Sequence, residues 1–228
     1  MTGQETSARA PALAGVLIDL DGTLCDTEPD WIAAEGDIAH EFAAEWTEVD
    51  ALRIVGFDLV DSAAYVRDRM GLPLTVDATV DLMLERVIAR VRARGVEWRP
   101  GAVDLVVACN AQQIPIAVVT SSHRPFAAAI LEAMPRGSFD AVITGDAVPS
   151  GKPAPDSYLL GAEALGADPA CCVAIEDSPT GSQAAYAAGC MVVVVPNHVA
   201  VPLEPGMREI STLSGVNPQN LAVFLSER

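Results

Sequence analysis

Two acidic residues, Asp19 and Asp21, follow directly on an apolar run over residues 13–18. A short, continuously apolar run is typical of a strand that is buried on both faces of a parallel sheet. The two carboxylates stand at the carboxyl end of this strand, where open α/β sheets bind their ligands. Because close carboxylates repel each other, we expect a cation or a proton between them, and Mg²⁺ suits such an oxygen-rich site. The alternative is an acidic turn that caps the next helix.

Three later apolar runs are also followed by polar residues. These are Thr120, Ser121 and Ser122 after the run 114–119, Asp146 after 139–143, and Glu176 and Asp177 after 171–175. The carboxyl ends of parallel strands meet at one edge of a sheet, so residues far apart in sequence can form one site there. Each set also has a plainer interpretation. Ser122 would cap the following helix while Thr120 faces the site, and the acidic pair would be a helix start that the helix dipole favours.

Lys152 is the single lysine in the chain, and the other thirteen basic residues are arginine. An ammonium is a compact point charge whereas a guanidinium is a planar fork, so the two differ at a tight anion site. The neighbouring Gly151, Pro153 and Pro155 predict a rigid turn that would hold Lys152 over the strand ends. The alternative is a surface lysine with no role in the site.

The order of the predicted elements indicates an α/β fold. Helices are predicted from Thr27 onward and over residues 49–55, 58–70 and 76–94. From residue 101 helices alternate with strands; the helices cover 102–111, 125–134, 155–165, 179–188 and 221–225, and the strands 114–119, 139–143, 171–175 and 191–195. This alternation predicts right-handed crossovers and a doubly wound, Rossmann-like parallel sheet. We predict a core of residues 13–27 and 98–228, an inserted helical cap of 28–97 over the carboxyl edge of the sheet, and a flexible N-terminus of 1–12.

Composition limits the classes of partner. Asp and Glu outnumber Lys and Arg by 31 to 14, and the resulting charge of −17 disfavours nucleic acid and anionic membranes. The five cysteines show no C-x-x-C spacing and lie mostly near apolar runs, as expected of reduced thiols. Residues 1–12 lack an apolar signal-peptide core, and the longest apolar run, 190–196, is too short to span a bilayer. We therefore predict a cytoplasmic protein.

Four motifs in this order resemble those of the haloacid dehalogenase superfamily. They are Asp19-Leu20-Asp21-Gly22-Thr23, Val119-Thr120-Ser121-Ser122, Gly151-Lys152-Pro153, and Ile175-Glu176-Asp177-Ser178-Pro179-Thr180-Gly181. The similarity spans about residues 13–200, and the helical insertion resembles the small α-helical cap of that superfamily. Within it, the chain looks like the group that contains β-phosphoglucomutase and sugar-phosphate phosphatases.

The resemblance implies a role for each catalytic candidate. Asp19 would be the nucleophile that attacks phosphorus and forms an aspartyl-phosphate. Asp21 would protonate the leaving oxygen and then activate the water that hydrolyses the intermediate. Thr120 and Lys152 would bind the oxygens of the transferring phosphoryl group.

The resemblance also implies a magnesium ion. Its ligands would be Asp19, the backbone carbonyl of Asp21, and Asp177, with Glu176 either a ligand or placed behind the ligands. The ion and Lys152 would locally reverse the negative field of an acidic protein, so that an anionic carboxylate can attack an anionic phosphate.

Several activities remain open within this group. Its mutases typically carry a histidine where this chain has Trp31 and a cap arginine where it has Leu59, although Gly56, Asp61 and Ser62 of the same cap motif are kept. Without that arginine the cap loses a clamp for a second phosphate. We therefore predict a phosphatase of a small phosphorylated metabolite, such as a sugar or polyol phosphate. A β-phosphoglucomutase-type phosphomutase and a non-catalytic binding module are the alternatives.

Residues near the motifs are candidates for binding the substrate. They are Trp31, Thr120, Ser121, Ser122, Arg124 and Lys152. Trp31 either faces the site or packs in the core, because aromatic rings do both. The arginines at 86, 90 and 94 recur every four residues of one predicted helix, as either an anion-binding stripe or a solvated face. A small cap over an enclosed site favours a monomer.

Overall fold

The computed structural model describes residues 12–54 and 57–227, and this part of the chain contains a parallel sheet of six strands in the order β3-β2-β1-β4-β5-β6. The strands are β1 (Gly15–Ile18), β2 (Ile116–Val119), β3 (Ala141–Ile143), β4 (Cys172–Glu176), β5 (Met191–Val194) and β6 (Arg208–Glu209). Every pair of neighbouring strands runs parallel. The predicted doubly wound α/β fold is confirmed.

The topology places a ligand crevice beside β1. From β1 the chain first extends the sheet to one side through β2 and β3, and then returns to the other side through β4 to β6. Ligands of open α/β sheets bind at such a reversal, outside the carboxyl ends of the strands. Ile18 is in register with Val118 on one side and Ile175 on the other, so the residues that follow all three leave the sheet at the same level.

Nine α-helices complete the described part of the chain. They are α1 (Glu28–Glu41), α2 (Glu48–Ile54), α3 (Leu59–Met70), α4 (Val76–Arg94), α5 (Ala102–Ala111), α6 (Arg124–Leu131), α7 (Asp156–Ala164), α8 (Pro179–Ala187) and α9 (Pro218–Ser226). The first four form the predicted helical insertion between β1 and β2. Whether residues 28–97 behave as a separate domain stays a prediction.

Successive side chains of β1 point to opposite faces of the sheet and contribute to two apolar cores, one on each face. Val16 and Ile18 belong to a cluster that also contains Ile38 of α1 and Met83 of α4, whereas Leu17 packs on the opposite face of the sheet. The inserted helices therefore share a continuous apolar core with one face of the sheet. This shared core positions them relative to the strand ends.

The arginine stripe of α4 faces α1. Salt bridges join Arg86 to Glu41 and Arg90 to Asp37, and a further one joins Arg94 to Asp30. Each stripe arginine is thus paired with an acid of the neighbouring helix. The stripe is an interhelical contact and not an anion-binding surface.

The predicted elements agree with the observed ones apart from details at their ends and one missed strand. The strand β6 was not predicted, because its two exposed residues carry no apolar signal. Helix α9 starts earlier than predicted, at Pro218, after a capping box formed by Asn217 and Asn220. Residues 1–11 of the predicted flexible N-terminus and Gly56 of the cap motif lie outside the described residues. In the described ranges no helix combines the length and the apolar character needed to cross a membrane.

Candidate active site

A cavity of about 470 Å³ lies between the strand ends and the inserted helices. Its lining includes most of the site residues predicted from the sequence: Asp19, Asp21, Trp31, Thr120, Ser121, Ser122, Lys152 and Asp177. These residues come from the loops after β1, β2 and β4, from the turn before α7 and from α1. The parallel sheet thus brings the four sequence motifs to one cavity.

Lys152 is held by three acceptors at the bottom of this cavity. Its Nζ donates to Asp19 Oδ1 at 2.6 Å, to Glu176 Oε1 at 2.5 Å and to the backbone carbonyl of Val119 at 3.0 Å. The side chain is only 4% exposed. Burial alone would lower its pKa, but the carboxylates of Asp19 and Glu176 outweigh burial and raise the pKa above the usual value. Lys152 therefore carries its positive charge against the proposed nucleophile.

The hydrogen bonds of Glu176 fix the position of Lys152. It is fully buried, and its Oε1 also accepts from the Tyr158 hydroxyl at 2.6 Å, while Oε2 accepts from Ser178 Oγ at 3.0 Å. Helix α8 approaches this carboxylate closely at Gly181, where an added Cβ would lie 1.9 Å from Oε1. Glu176 does not line the cavity, so it fits a place behind the reacting groups better than contact with a substrate.

Three hydroxyl groups orient Asp21. Thr27 Oγ1 donates to Oδ1 at 2.6 Å, and Ser122 Oγ and Thr120 Oγ1 donate to Oδ2 at 2.7 Å and 3.3 Å. The prediction that Ser122 caps the helix after β2 is wrong: the N-cap of α6 is His123, and the Ser122 hydroxyl bonds to Asp21 instead. The hydroxyls hold the Asp21 carboxylate facing the cavity in a fixed orientation.

Asp177 is packed against the loop that follows β1. Thr23 Oγ1 donates to its Oδ1 at 3.1 Å. Gly22 has φ +87°, and a Cβ built on it would lie 2.0 Å from Asp177 Oδ2, so only glycine fits there. Burial first, and then the neighbouring Glu176, raise the pKa of Asp177 to about 7. Burial likewise raises the pKa of Asp19 well above its usual value.

The charges of this cluster suit a divalent cation. Asp19, Glu176 and Asp177 present oxygens that all lie within 4.8 Å of one another. Lys152 is the one ammonium among these three carboxylates, which leaves two negative charges uncompensated when all are ionised. The hydrogen bonds described above use one oxygen of Asp19 and one of Asp177, so the second oxygen of each could bind a metal ion. Carboxylate oxygens of this kind are the ligands that Mg²⁺ prefers.

The helical side of the cavity has a different character. Trp31 is half-buried, lines the cavity and also packs on Phe126, with ring centroids 5.0 Å apart, so both of its predicted roles apply. Leu59 also lines the cavity, at the position where the mutases of this group would place arginine. Glu35, one helical turn after Trp31, lines the cavity as well and was not predicted. Its spacing of four residues from Trp31 was the available signal, because residues four apart share a helix face.

Some of the predicted groups lie away from this cavity. Arg124 is exposed and does not line it; its backbone N–H donates to Asp146 Oδ1 at 3.1 Å. Asp146 is exposed in a short 3₁₀ turn after β3. The proposed contact of Arg124 with a substrate stays a prediction. Asp26 and His198, which pair at 3.1 Å, also line the cavity.

Known proteins of similar sequence and structure identify the family of this chain. A family model described as haloacid dehalogenase-like hydrolase matches residues 13–189. Hexitol phosphatase A of Escherichia coli (strain K12) is 35% identical over 181 residues, which cover 79% of this chain and 82% of that protein. Phosphoglycolate phosphatase of Shigella boydii is 33% identical over 201 residues, which cover 78% of this chain and 79% of that protein.

Among solved structures, a mutant of CbbY from Rhodobacter sphaeroides in complex with xylulose-(1,5)bisphosphate has a TM-score of 0.80 and 26% identity, and the match covers 89% of this chain and 96% of that chain. The family model covers most of the described residues and all four motifs. The resemblance inferred from those motifs is confirmed, and the chain belongs to the haloacid dehalogenase-like hydrolases.

Proposed function

We propose that this hydrolase is a Mg²⁺-dependent phosphatase that cleaves the phosphate monoester of a small sugar or polyol through an aspartyl-phosphate on Asp19. The observation that carries the proposal is the ammonium of Lys152, held between Asp19 and Glu176 where Asp19 faces the cavity. A cation fixed beside a carboxylate nucleophile lets that carboxylate approach a phosphate, because it offsets the repulsion between two anions. The phosphatases among the relatives support the same reaction class.

In the first step an oxygen of Asp19 forms a bond to phosphorus while the bond from phosphorus to the leaving oxygen breaks. Asp21 gives its proton to that oxygen, so the leaving group departs as a neutral alcohol. Lys152 offsets the negative charge that develops on the phosphoryl oxygens, and Thr120 donates a hydrogen bond to one of them. In the second step Asp21 takes a proton from water, and that water attacks phosphorus and releases phosphate from Asp19.

Asp19 and Asp177 would hold the magnesium ion through the oxygens that their hydrogen bonds leave over, together with the backbone carbonyl of Asp21. When bound, the ion would neutralise the carboxylates and polarise the phosphate. Glu176 would act behind these ligands by fixing Lys152, since both of its oxygens already accept hydrogen bonds.

Hydrolysis accounts for the cavity better than phosphoryl transfer between two sites on a sugar. Such a mutase must bind a bisphosphate and needs a second cationic clamp. Trp31 and Leu59 occupy the relevant positions, and within the described lining Lys152 and His198 are the basic side chains present. A non-catalytic binding module would be expected to lack part of the machinery, whereas all four motifs are complete.

We also propose a monomer that acts in the cytoplasm. The thiols of Cys25, Cys109, Cys171 and Cys172 form no disulfide, and three of them are buried, which supports a reducing compartment.

The test is phosphate release from a panel of phosphorylated sugars, polyols, nucleotides and carboxylates, with Mg²⁺ and with a chelator. We expect metal-dependent release that disappears in Asp19→Asn. Asp37→Asn is the matched control, because the same change is made at an exposed position of α1 outside the cavity. Conversion of a hexose 1-phosphate to its 6-phosphate without phosphate release would overturn the proposal in favour of the mutase. Release that persists in Asp19→Asn would remove Asp19 as the nucleophile.

A further inference from the structure

Glu35 is a buried carboxyl group that the reaction does not use. It lies on α1, lines the cavity and is 4% exposed. Its Oε2 finds no hydrogen-bond partner within the described parts of the chain. Buried polar atoms are almost always paired, because leaving one unpaired costs free energy. A buried carboxyl group that borders a cavity and keeps one oxygen unpaired is therefore a candidate for contact with a ligand.

The surroundings of Glu35 favour its protonated form. Burial raises the pKa of this carboxyl to about 8, and the negative charge of Glu28 adds to that effect. The nearby indole N–H of Trp46 lowers the pKa of Glu35, because a donor favours the ionised carboxylate, but this effect is smaller than that of burial. The two groups do not form a hydrogen bond in the described structure, where Trp46 Nε1 also lacks a partner. A protonated carboxyl both donates and accepts hydrogen bonds. Glu35 can thus pair with a hydroxyl group, which also does both.

The remaining groups on the helical side of the cavity are apolar, small or acidic. Ile54, Leu59 and Met83 supply apolar contacts, and the charged groups contributed here are Glu28 and Asp58. Within the described lining the two basic side chains lie on the strand side. One is Lys152, which is held by Asp19 and Glu176, and the other is His198, which is paired with Asp26. A second anionic group on a substrate would therefore meet acids on the helical side, with no cation to offset it.

We infer that Glu35 is a specificity-determining residue that binds a hydroxyl group on the leaving-group end of the substrate. The helical side of the cavity then selects a monophosphate whose polyhydroxylated leaving group is uncharged over one whose leaving group carries a second anion. This inference rests on the proposed phosphatase function and narrows its substrate class. The phosphate lies at the strand ends with Asp19 and Lys152, and the polyol chain extends toward α1. A carboxylate or second phosphate at the far end of the chain is excluded by charge.

Sorbitol 6-phosphate and 6-phosphogluconate form the matched substrate pair, because the hydroxymethyl group at the far end of the first is a carboxylate in the second. The wild-type protein should show a kcat/KM at least about tenfold higher for sorbitol 6-phosphate than for 6-phosphogluconate. A tenfold factor is what the loss of one buried hydrogen bond can produce. Para-nitrophenyl phosphate, which has no hydroxyl group on its ring, reports the chemical step without this contact.

The variants are Glu35→Leu and Glu35→Gln, with Glu41→Gln as the control on an exposed position of the same helix. Glu35→Leu should lower kcat/KM for sorbitol 6-phosphate about tenfold while the rate with para-nitrophenyl phosphate stays within about twofold. Glu35→Gln should recover part of the loss, since an amide also donates and accepts. Glu41→Gln should match the wild type with every substrate.

Three results would overturn the inference. Equal wild-type activity on the two sugar phosphates would remove the charge selection, and an equal loss with all substrates in Glu35→Leu would make Glu35 a structural residue. A preference that Glu35→Leu leaves unchanged would assign selection to other side chains. If the wild type released no phosphate even from para-nitrophenyl phosphate with Mg²⁺, the proposed function itself would fail, a result distinct from these three.

Discussion

The two sides of the cavity differ in how their polar groups are partnered. On the strand side, Asp19 accepts from Lys152 and Asp21 accepts from three hydroxyls, so both carboxylates are oriented before a substrate arrives. On the helical side, Glu35 is buried and retains an unpaired oxygen. Groups that react must be fixed in place, because catalysis depends on orientation. A residue that determines substrate specificity contributes most when the substrate itself is its hydrogen-bond partner.

Lys152→Met should have the largest effect, because it leaves the carboxylates of Asp19, Glu176 and Asp177 without a neighbouring ammonium. Removing one partner of a buried ion pair costs about 3–5 kcal/mol, and phosphate release should fall by at least about a thousandfold. Urea unfolding and phosphate release measure the two effects.

Lys152→Arg should also be inactive, because a guanidinium cannot place one nitrogen among Asp19, Glu176 and the Val119 carbonyl. Arg90→Met is the control for the loss of one positive charge at an exposed pair. Near-normal stability and activity in Lys152→Met would show that the strand side does not depend on its charge network.

Gly22→Ala should have the next largest effect. The new Cβ would overlap Asp177 Oδ2 and displace a proposed metal ligand, so we expect kcat/KM to fall about a hundredfold and more Mg²⁺ to be needed. Gly71→Ala is a matched control, since Gly71 also has positive φ, at +64°, but meets no atom within 4 Å. Both changes should cost about 1 kcal/mol of backbone strain, and only the first should affect activity. Equal activity of the two variants would contradict the role of the Gly22 loop.

Glu35→Gln should change the pH dependence of stability. The folded state holds the Glu35 proton up to about pH 8, whereas the ordinary value is 4.5, so the unfolded chain releases the proton first as pH rises. Stability contributed by this group is therefore present at low pH and lost between about pH 4.5 and pH 8.

Glutamine does not titrate, so the variant should gain stability relative to the wild type as pH rises through this window, by up to a few kcal/mol. Free energies of unfolding at both ends of the window measure the gain, with Glu41→Gln as the control. A constant difference between variant and wild type across pH would show that Glu35 ionises normally.

Substitutions in the arginine stripe should have the smallest effect. Arg86→Gln and Arg90→Gln each remove a largely solvent-exposed salt bridge to α1, which is worth less than about 1 kcal/mol. KM should not change, because these arginines are paired with acids of α1 and do not line the cavity. A marked rise in KM in either variant would restore the anion-binding interpretation of the stripe.

The contrast between the two sides also separates what the sequence could predict from what it could not. Asp19 and Asp21 were predicted from their place at the end of an apolar strand, and Lys152 from its being the single lysine, set in a rigid turn. Convergence of the parallel strand ends brings them together whatever their distance along the chain. Glu35 shares a helix face with Trp31, but helical periodicity does not tell which neighbour that face meets.

Several other contacts could not be predicted, because they join residues that are distant in sequence and meet only in the folded protein. Ser122 stands where a helix cap is common, yet its hydroxyl reaches Asp21, which is distant in sequence. The partners of Arg86 and Arg90 lie on α1, and the strand β6 is recognisable only through its pairing with β5. Each of these contacts is created by the packing of elements rather than by local propensity.

The most direct test of the proposed reaction is the intact mass of the Asp21→Asn variant after brief incubation with para-nitrophenyl phosphate and Mg²⁺. Nitrophenolate leaves without a proton, so Asp19 should still be phosphorylated, whereas the water that hydrolyses the intermediate would lack its base. We predict a burst of nitrophenolate equal to the enzyme concentration and an intact mass increased by one phosphoryl group, which a digest then places on the peptide that contains Asp19. An unmodified protein that releases phosphate steadily, or a phosphoryl group on any other residue, would contradict the account.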